Sequence, residues 1–360
     1  MQIAIIVPRL RGGGAESVAR QWVATLIQHG HECEILTTHH FDDTNDATFD
    51  FPVTSLNSRA GFVRSILNLQ RGIRRRQYDA VLGVMPYANL VAIFASAVLP
   101  RRLAPRVIIS EHTIHSRYTV GVGLGPRIQW LLARLTYRMA DDAIAVSHPV
   151  AASLARLGVR RDKTWVVLNS IFPNLPPSVA ARPPVSTFDS IGIVVPGRLM
   201  PAKRPEMALH VAKLVRRMTG KEVVVTYFGD GPEKPHLESL STELGVQAVH
   251  RGWVDHWLDE CPPNGVVLIS SPLEGLGNVL VEAASRRIPS VASSKALGVA
   301  DACIDGVSGI LSLDDTPMSY AKGVVEAMRL EVPDLSPWLN NFTQDSAYAG
   351  ISNILGDEQS

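Results

Sequence analysis

A proline-rich stretch near the middle of the chain limits the possible folds more than any other feature. Residues 172–186, FPNLPPSVAARPPVS, contain Pro173, Pro176, Pro177, Pro183 and Pro184. Because proline lacks a backbone N–H donor and has a fixed φ, this stretch cannot form a helix or the interior of a sheet. It predicts a linker over residues 171–189. With 360 residues, 46% of them hydrophobic, the chain can fill two cores, which excludes a disordered protein.

Short apolar runs alternate with longer amphipathic stretches on both sides of this linker. The alternation is typical of βα units that form a parallel sheet, so we expect two α/β domains, over residues 1–170 and 190–335. The predicted strands are 3–7, 32–37, 80–84, 106–110, 143–146 and 164–168, then 191–196, 222–228, 249–251, 266–270 and 289–292. Ligands of open α/β sheets bind at the carboxyl ends of strands, so we expect a site in a cleft between the two sheets.

Several other protein classes are not supported by the sequence. The opening MQIAIIVPRL passes directly from Met1 into an apolar run, which favours a first strand over a signal peptide. Residues 80–100 carry no charge, but a glycine, a proline and an asparagine divide them into a strand, a turn and a helix from Asn89 rather than a membrane span. The cysteines, Cys33, Cys261 and Cys303, lie far apart and indicate neither disulfides nor a zinc site. A cytoplasmic protein is expected.

The charge is distributed unevenly along the chain. Residues 1–170 hold 20 Lys and Arg against 12 Asp and Glu, whereas residues 171–360 hold 15 against 22. Thirteen arginines lie between Arg59 and Arg138, and this excess attracts anions. Neither interleaved aromatic residues nor a nucleic-acid-binding module accompanies them, so no nucleic-acid partner is expected.

Residues 58–76, SRAGFVRSILNLQRGIRRR, combine an apolar stripe with many of these arginines. A helix of this kind can lie on an anionic membrane surface, which would make the protein peripheral on the inner face of the plasma membrane. An ordinary domain helix that packs the same stripe inward explains the pattern equally well. The sequence leaves both interpretations open.

Glycines follow the first predicted strand, and cations follow the first strand after the linker. Gly12, Gly13 and Gly14 precede a predicted helix whose free amides favour a phosphate ligand, although a tight turn is an equally good explanation. Arg198 and Lys203 lie beyond the carboxyl end of the strand 191–196. Two cations in this position can stabilise a diphosphate leaving group without a metal ion.

A later segment, VLISSPLEGLGNVLVEAASRRIPSVA, places two carboxylates around the start of a helix. Asn278 is a candidate N-cap, Glu282 falls in the early turns, and Glu274 lies in the preceding loop. The amides of residues 275–279 can hold phosphate oxygens, and carboxylates accept hydrogen bonds from sugar hydroxyls. Helix capping accounts for the same pattern, so the spacing alone does not decide between them.

These residues occur in the order and spacing of the retaining glycosyltransferases called glycosyltransferase family 4, which the chain resembles over nearly its whole length. The matching motifs after the linker are Gly197-Arg198, Lys203, GDGP at residues 229–232, Glu274-Gly275 and Glu282. Before the linker they are GGGAE at residues 12–16, EHT around His112, Val146-Ser147 and LNS around Asn169. Arg287 and Asp301 depart from the residues common in the family, which leaves the sugar undetermined.

The resemblance implies the GT-B fold, in which two Rossmann-like domains face each other across a cleft. The second domain would hold the nucleotide sugar, the first would hold the acceptor, and residues 336–360 would cross back to the first. The implied catalytic residues are His112, Arg198, Lys203 and Glu274. Arg198 and Lys203 would bind the diphosphate. His112 would lie near O6 of the transferred sugar.

The remaining implied site residues divide into a donor group and an acceptor group. Glu274 would bind the sugar hydroxyls and Glu282 the ribose. The other donor-binding residues would be Gly13, Gly14, Gly197, Gly229, Gly275, Leu276, Gly277, Asn278 and Val279. The residues on the acceptor side would be Glu16, Ser147 and Asn169. The family needs no metal, so no cofactor is expected.

The implied reaction moves a hexose from a UDP- or GDP-linked sugar to a glycan or lipid-linked saccharide in cell-surface polysaccharide synthesis. Retention requires either a carboxylate nucleophile or front-face attack, in which the leaving diphosphate takes the acceptor proton. Front-face attack is favoured, because strand alternation turns Glu111, the nearest unassigned acid, away from His112. The alternatives are a non-hydrolysing nucleotide-sugar epimerase and a catalytically silent nucleotide-binding subunit.

Overall fold

The chain forms two compact units in a computed structural model that describes residues 1–10, 14–39, 49–56, 61–114 and 123–356. The first unit contains Met1–Asn174 together with the segment from Asn340 onward, and the second contains Leu175–Leu339. The chain therefore passes from one unit to the other inside the proline-rich stretch.

The first unit is built around a parallel sheet of seven strands. The strands are β1 (Gln2–Val7), β2 (Glu32–Thr37), β3 (Val53–Ser55), β4 (Ala80–Val84), β5 (Arg106–Glu111), β6 (Asp142–Ala145) and β7 (Thr164–Val166). Their order in the sheet is β3-β2-β1-β4-β5-β6-β7. The sheet pairs are all parallel, which explains why β1 and β4 are almost continuously apolar and buried.

Helices follow most of these strands. They are α1 (Gly14–Gln28), α2 (Phe62–Arg76), α3 (Pro86–Ala97), α4 (Leu124–Thr136) and α5 (His148–Arg156). Trp22 of α1 is 1% exposed and packs in the core with Leu26 and Ile5. The predicted helix from Asn89 begins earlier, at Pro86, because proline fits the first turn of a helix, where an N–H donor has no partner.

The second unit is a parallel sheet of six strands. These are β8 (Ser190–Pro196), β9 (Glu222–Phe228), β10 (Gln247–Gly252), β11 (Gly265–Ile269), β12 (Ser290–Ser293) and β13 (Gly309–Ser312). Their order is β10-β9-β8-β11-β12-β13. The helices are α6 (Met207–Thr219), α7 (Lys234–Leu244), α8 (Asn278–Ser285), α9 (Pro317–Ala327) and the short α10 (Ser336–Leu339).

Two segments after the strands complete the units. The predicted linker contains a short 3-10 helix, Val185–Thr187, in which Val185 joins the core of the second unit. The C-terminal helix α11 (Gln344–Leu355) belongs to the first unit, where Ile351 lies in the same core as Trp22. Its Tyr348 ring stacks on His29, with 3.6 Å between the ring centroids.

Two strands and one departure from the family pattern have local explanations. β3 is three residues long and exposed, and β13 begins with a glycine, so neither presents the apolar run by which the other strands are predicted. Arg287, at a position where the family often has glycine, has φ +54. This left-handed conformation suits glycine better than a residue that carries a Cβ atom, such as arginine.

Candidate functional site

The second unit places its predicted site residues where the strand order of the sheet reverses. β8 lies between β9 and β11, so the chain leaves this centre in both directions. Such a reversal opens a crevice at the carboxyl ends of the two central strands, which is where ligands of open α/β sheets bind. Gly197 and Arg198 follow β8, and Glu274 follows β11 by five residues. The residues that the family motifs singled out therefore follow the carboxyl ends of the two central strands.

The loop that carries Arg198 is shaped by a neighbouring glycine loop. The Gly197 N–H donates to the Phe228 carbonyl, at 2.8 Å. A Cβ at Gly229 would lie only 2.0 Å from the Gly197 carbonyl oxygen, and Gly229 has φ +148. Gly231, the second glycine of the GDGP motif, is confined in the same way. These glycines are needed because the two backbones touch.

An ion pair joins the two sides of this crevice. Lys203 ends a 3-10 helix, Pro201–Lys203, and its Nζ lies 2.6 Å from Glu274 Oε1. The Lys203 loop is held in place by the buried Ser270, whose hydroxyl donates to the carbonyls of Lys203 at 3.1 Å and Arg204 at 2.8 Å. Hydrogen bonds thus anchor the loop that carries Lys203, which follows β8, to the end of β11.

Arg198 is the second cation of the site, and its surroundings differ from those of Lys203. Its side chain is exposed, and within the described residues no carboxylate forms an ion pair with it. A guanidinium presents several N–H donors in one plane and suits phosphate oxygens. The crevice therefore offers one paired ammonium and one open guanidinium.

The Glu274 loop leads directly into α8. A parallel bridge joins Glu274 to Leu297, and a Cβ at Gly298 would lie 2.3 Å from the Glu274 carbonyl oxygen, so the loop packs tightly against its neighbour. The prediction that Asn278 caps the helix is wrong: Gly277 is the N-cap, and Asn278 is the first helical residue. Gly277 has φ +93, which a glycine adopts without strain.

The start of α8 can bind an anion through its backbone N–H groups. The first amides of a helix lack partners within the helix and carry partial positive charge. Leu276 is 2% exposed, so its side chain belongs to the core and only its backbone is available to a ligand. Gly275 and Val279 are partly exposed on either side of it.

Glu282 is held by an aromatic side chain from a distant part of the chain. Trp257 Nε1 donates to Glu282 Oε2 at 2.8 Å. Burial raises the pKa of Glu282, and this hydrogen bond opposes the shift. Trp257 is itself 8% exposed and packs near the Phe228 ring. The free carboxylate oxygen thus lies in a fixed orientation one turn inside α8.

In the first unit the corresponding reversal of strand order lies between β1 and β4. Gly12 and Gly13 lie outside the described residues. Gly14 is the exposed first residue of α1, and Glu16 lies in its first turn, where a carboxylate is favourable for the helix. The start of α1 therefore lies at the carboxyl end of β1.

His112 comes directly after β5 at the same edge of this sheet. Its Nε2 lies 3.1 Å from Ser110 Oγ, and its ring centroid lies 6.1 Å from that of Trp22. Burial lowers the pKa of His112 to about 4, and the negative charge of Glu111 opposes that shift only in part. The imidazole is consequently neutral at neutral pH, able to donate at one nitrogen and accept at the other.

Glu111 is buried beside His112 and is engaged inside the unit. Asn89 Nδ2 donates to Glu111 Oε1 at 2.8 Å, and the Tyr137 hydroxyl donates to the same oxygen. Burial and the Glu111 charge raise the pKa of Tyr137 well above its usual value. These bonds agree with the argument from strand alternation against Glu111 as a nucleophile.

The two other residues predicted for the acceptor side lie beyond the ends of β6 and β7. Ser147 is the N-cap of α5, and its side chain accepts a hydrogen bond from the Val150 amide at 3.3 Å, so capping accounts for its position. Asn169 is 6% exposed and lies beyond β7. The adjacent Ser170 hydroxyl donates to Gln21 Oε1 of α1 at 2.7 Å.

The apolar stripe of the arginine-rich helix packs inward. Leu69 and Ile73 of α2 are 0% and 1% exposed, and the Phe62 ring contacts the rings of Tyr87 and Phe94 of α3. The stripe is therefore part of the core of the first unit. Its exposed arginines include Arg76, which pairs with Glu34 at 3.2 Å.

Two features are absent from the described residues. No cluster of three His, Cys, Asp or Glu side chains suited to a metal ion is found among them. Within the same residues, none of the helices combines the length and apolar composition that a membrane crossing requires.

Comparisons with known proteins identify the family of the chain. Residues 12–174 match the family described as Glycosyltransferase Family 4, and residues 190–329 match Glycosyl transferases group 1. The chain therefore belongs to the group 1 glycosyltransferases and is an enzyme of that class.

A curated relative and two solved structures resemble the whole chain. The GalNAc-alpha-(1->4)-GalNAc-alpha-(1->3)-diNAcBac-PP-undecaprenol alpha-1,4-N-acetyl-D-galactosaminyltransferase of Campylobacter jejuni is 25% identical, over 89% of this chain and 87% of its own length. The lipopolysaccharide outer core galactosyltransferase WaaB superposes with a TM-score of 0.77 at 18% identity, over 99% of each chain. HepE of Anabaena, solved with UDP and glucose, gives 0.75 at 18% identity, over 99% of this chain and 100% of its own. The fold is GT-B.

The sequence does not predict the two residues whose side chains form hydrogen bonds that hold the site in place. Ser270 and Trp257 hold Lys203 and Glu282 in place, yet the sequence predicts no role for either, although Ser270 ends the predicted strand 266–270. Ser270 directly follows β11, and a small polar residue at the carboxyl end of a buried strand was a usable signal. Nothing local in the sequence connects Trp257 with Glu282.

Proposed function

We propose that this glycosyltransferase moves a hexose, with retention of anomeric configuration, from a UDP- or GDP-linked sugar to a saccharide or lipid-linked saccharide in cell-surface glycan synthesis. The observation that carries the proposal is the pairing of Lys203 Nζ with Glu274 Oε1, 2.6 Å apart, where the strand order reverses. A cation and a carboxylate in contact suit a donor that joins a diphosphate to a sugar.

In this proposal the cations stabilise the leaving group. Arg198 and Lys203 bind the diphosphate oxygens as negative charge develops on them, and the first amides of α8 add their partial charge. No metal ion is needed for this step, so transfer should persist after treatment with a chelator. Glu274 binds the sugar hydroxyls, and Glu282 binds the ribose.

Front-face attack is the mechanism that we infer for the transfer. The acceptor hydroxyl forms the new glycosidic bond as the bond to the diphosphate breaks, and its proton passes to the leaving diphosphate. The bonds from Asn89 and Tyr137 to Glu111 support a mechanism in which this carboxylate is not the nucleophile. The neutral imidazole of His112 forms a hydrogen bond to a hydroxyl of the transferred sugar without adding charge.

The proposed substrates draw on relatives of the chain. The Campylobacter enzyme is named for an acceptor joined through PP to undecaprenol, which supports a lipid-linked acceptor. HepE was solved with UDP and glucose, which supports a UDP-linked donor. An acceptor of this kind would bring the protein to the membrane surface as a peripheral enzyme.

Thermal unfolding with a nucleotide panel tests the proposal first. UDP, GDP, ADP and dTDP, each with common sugar conjugates, would be added to the wild type, to Lys203→Ala and to the control Lys322→Ala, whose lysine is exposed on α9. A ligand at 100 times its Kd stabilises the native state by about 2.7 kcal/mol, which raises Tm by several degrees. The expected shift occurs with one base and disappears only in Lys203→Ala.

The stereochemistry of the product tests the mechanism. Once the panel names the donor, NMR of the purified product should show the α-linkage of the donor preserved. Inversion would contradict the proposed mechanism. Release of a free epimer without acceptor, or nucleotide binding without any transfer, would contradict the proposed function itself.

A further inference from the structure

The outer face of α4 exposes a row of apolar side chains. Ile128, Leu131 and Leu135 are 48%, 51% and 53% exposed, and Met139, in the 3-10 helix that continues α4, is 54% exposed. Their spacing of three or four residues places them along one face of the helix. The other side of the helix is packed, since Ala133 is 0% exposed. The apolar row is therefore a surface of the first unit and not a part of its core.

A basic row runs beside the apolar one. Arg127, Arg134 and Arg138 are exposed, at spacings of seven and four residues, so they also share one face of the helix. Arg134 lies over the Trp130 ring, 5.6 Å from its centroid. No acidic residue occurs between residues 123 and 140. No ion pair involves these three arginines within the described part of the chain.

α2 and α4 differ in how far the rest of the unit covers their apolar side chains. The apolar stripe of α2 is buried against α3, whereas about half of the surface of each side chain in the apolar row of α4 stays exposed, although α4 packs on α3 through its other side. A soluble surface seldom keeps large apolar side chains together beside a basic row. This combination is what a helix lying on an anionic lipid surface presents.

We propose that α4 docks on an anionic membrane surface. The four apolar side chains of the row enter the boundary between headgroups and acyl chains, while Arg127, Arg134 and Arg138 pair with lipid phosphates. Charge complementarity selects this occupant over a second copy of the chain, because a symmetric contact through α4 would bring the two basic rows together. The inferred surface is thus α4 and not the arginine-rich α2.

Docking through α4 has a consequence for the acceptor, which rests on the proposed function. The chain reaches α4 from His112 through residues 113–123, so α4 follows the strand end that carries this histidine. An acceptor whose saccharide is linked to a lipid would then lie in the membrane that α4 binds. A soluble acceptor would not depend on α4.

Sedimentation with vesicles tests the docking. The full chain would be mixed with vesicles of phosphatidylglycerol and phosphatidylcholine in equal amounts, or of phosphatidylcholine alone. The variants are Ile128→Ser/Leu131→Ser/Leu135→Ser and Arg127→Gln/Arg134→Gln/Arg138→Gln. The matched control is Val63→Ser/Leu67→Ser, which removes exposed apolar side chains, 67% and 46% exposed, from α2. All changes lie on the surface, and Tm should confirm that each variant is folded.

We expect the wild type to bind the anionic vesicles at least about tenfold more strongly than the neutral ones. Each α4 variant should lose about tenfold or more of this binding, whereas the α2 control stays within about twofold. Wild-type affinity in the α4 variants, or an equal loss in the α2 control, would overturn the proposal. So would a wild-type dimer, detected by light scattering, that the serine variant dissociates.

An activity measurement separates this proposal from the proposed function. The serine variant should keep wild-type turnover with a soluble saccharide acceptor and lose at least about tenfold with the same acceptor anchored in anionic vesicles. Equal turnover of the two proteins on anchored acceptor would overturn the docking while leaving the transferase intact. Absence of transfer by the wild type on either acceptor would overturn the function, while vesicle binding would still decide the docking.

Discussion

The two groups of predicted site residues differ in how they handle charge. In the second unit, Lys203 and Glu274 form an ion pair where the strand order reverses, and Arg198 is exposed. In the first unit, Glu111 is enclosed by hydrogen bonds, and burial keeps His112 neutral. The difference teaches that the second unit keeps charged side chains available to a ligand, whereas the first unit engages its carboxylate internally and presents an uncharged imidazole.

The largest effect should come from removing the paired cation. Lys203→Ala is expected to lower kcat by about 10²- to 10³-fold, since one preorganised group that stabilises developing charge contributes about that much. Steady-state kinetics with the donor identified above would measure it. Lys322→Ala should remain within about twofold. Near-normal turnover in Lys203→Ala would show that the paired lysine does not stabilise the leaving diphosphate.

Glu111 provides the next test, because its buried hydrogen bonds give it a structural role and not a chemical one. Glu111→Gln should cost about 1–3 kcal/mol of stability, since the bonds from Asn89 and Tyr137 form a buried network. Transfer should nevertheless continue with the same stereochemistry. Chemical denaturation and product NMR would measure the two effects. A complete loss of transfer in a folded Glu111→Gln protein would restore the carboxylate as a candidate nucleophile.

The bond between Trp257 and Glu282 allows a smaller and more specific test. Trp257→Phe removes the N–H donor and keeps most of the ring, so the nucleotide Kd should rise about tenfold, equivalent to about 1.4 kcal/mol. Isothermal calorimetry would measure the change. The control Trp165→Phe removes a similar bond, from Trp165 Nε1 to Asp142 Oδ1 at 3.0 Å in the first unit, and should leave nucleotide affinity unchanged.

The last test concerns the pH dependence of stability. The folded protein keeps His112 neutral down to a pKa of about 4, whereas a histidine in the unfolded chain takes up a proton near pH 6.5. Between these values the unfolded state binds more protons, so the free energy of unfolding falls as pH falls. His112→Gln should remove up to about 1.4 kcal/mol per pH unit of this slope. Identical slopes in denaturant titrations of the two proteins would show that His112 is not held neutral.

Much of the fold could be predicted because parallel strands leave a simple signature. β2, β4 and β9 begin and end at the predicted residues, and most residues of each strand are buried. The residues of the crevice could be predicted because they follow such strands. Their supports could not, because Trp257 and Glu282 meet only after the chain between them has folded.

The arginine-rich helix shows the limit of reading one segment alone. The spacing in α2 predicts an amphipathic helix, but it does not say what covers the apolar side. The structure covers that side with α3 and leaves the apolar row of α4 exposed. Which helix faces solvent depends on the order of strands and helices in the unit.

The sequence by itself determined the two α/β halves, the proline-rich crossing and the motifs at the strand ends, because these depend on periodicity and on residues close together in the chain. Only the tertiary structure decided that Lys203 pairs with Glu274, that Glu111 is enclosed and that α4 is exposed. The physical reason is that pairing and burial depend on contacts between residues distant in sequence, which form when strands align in a sheet and helices cover it.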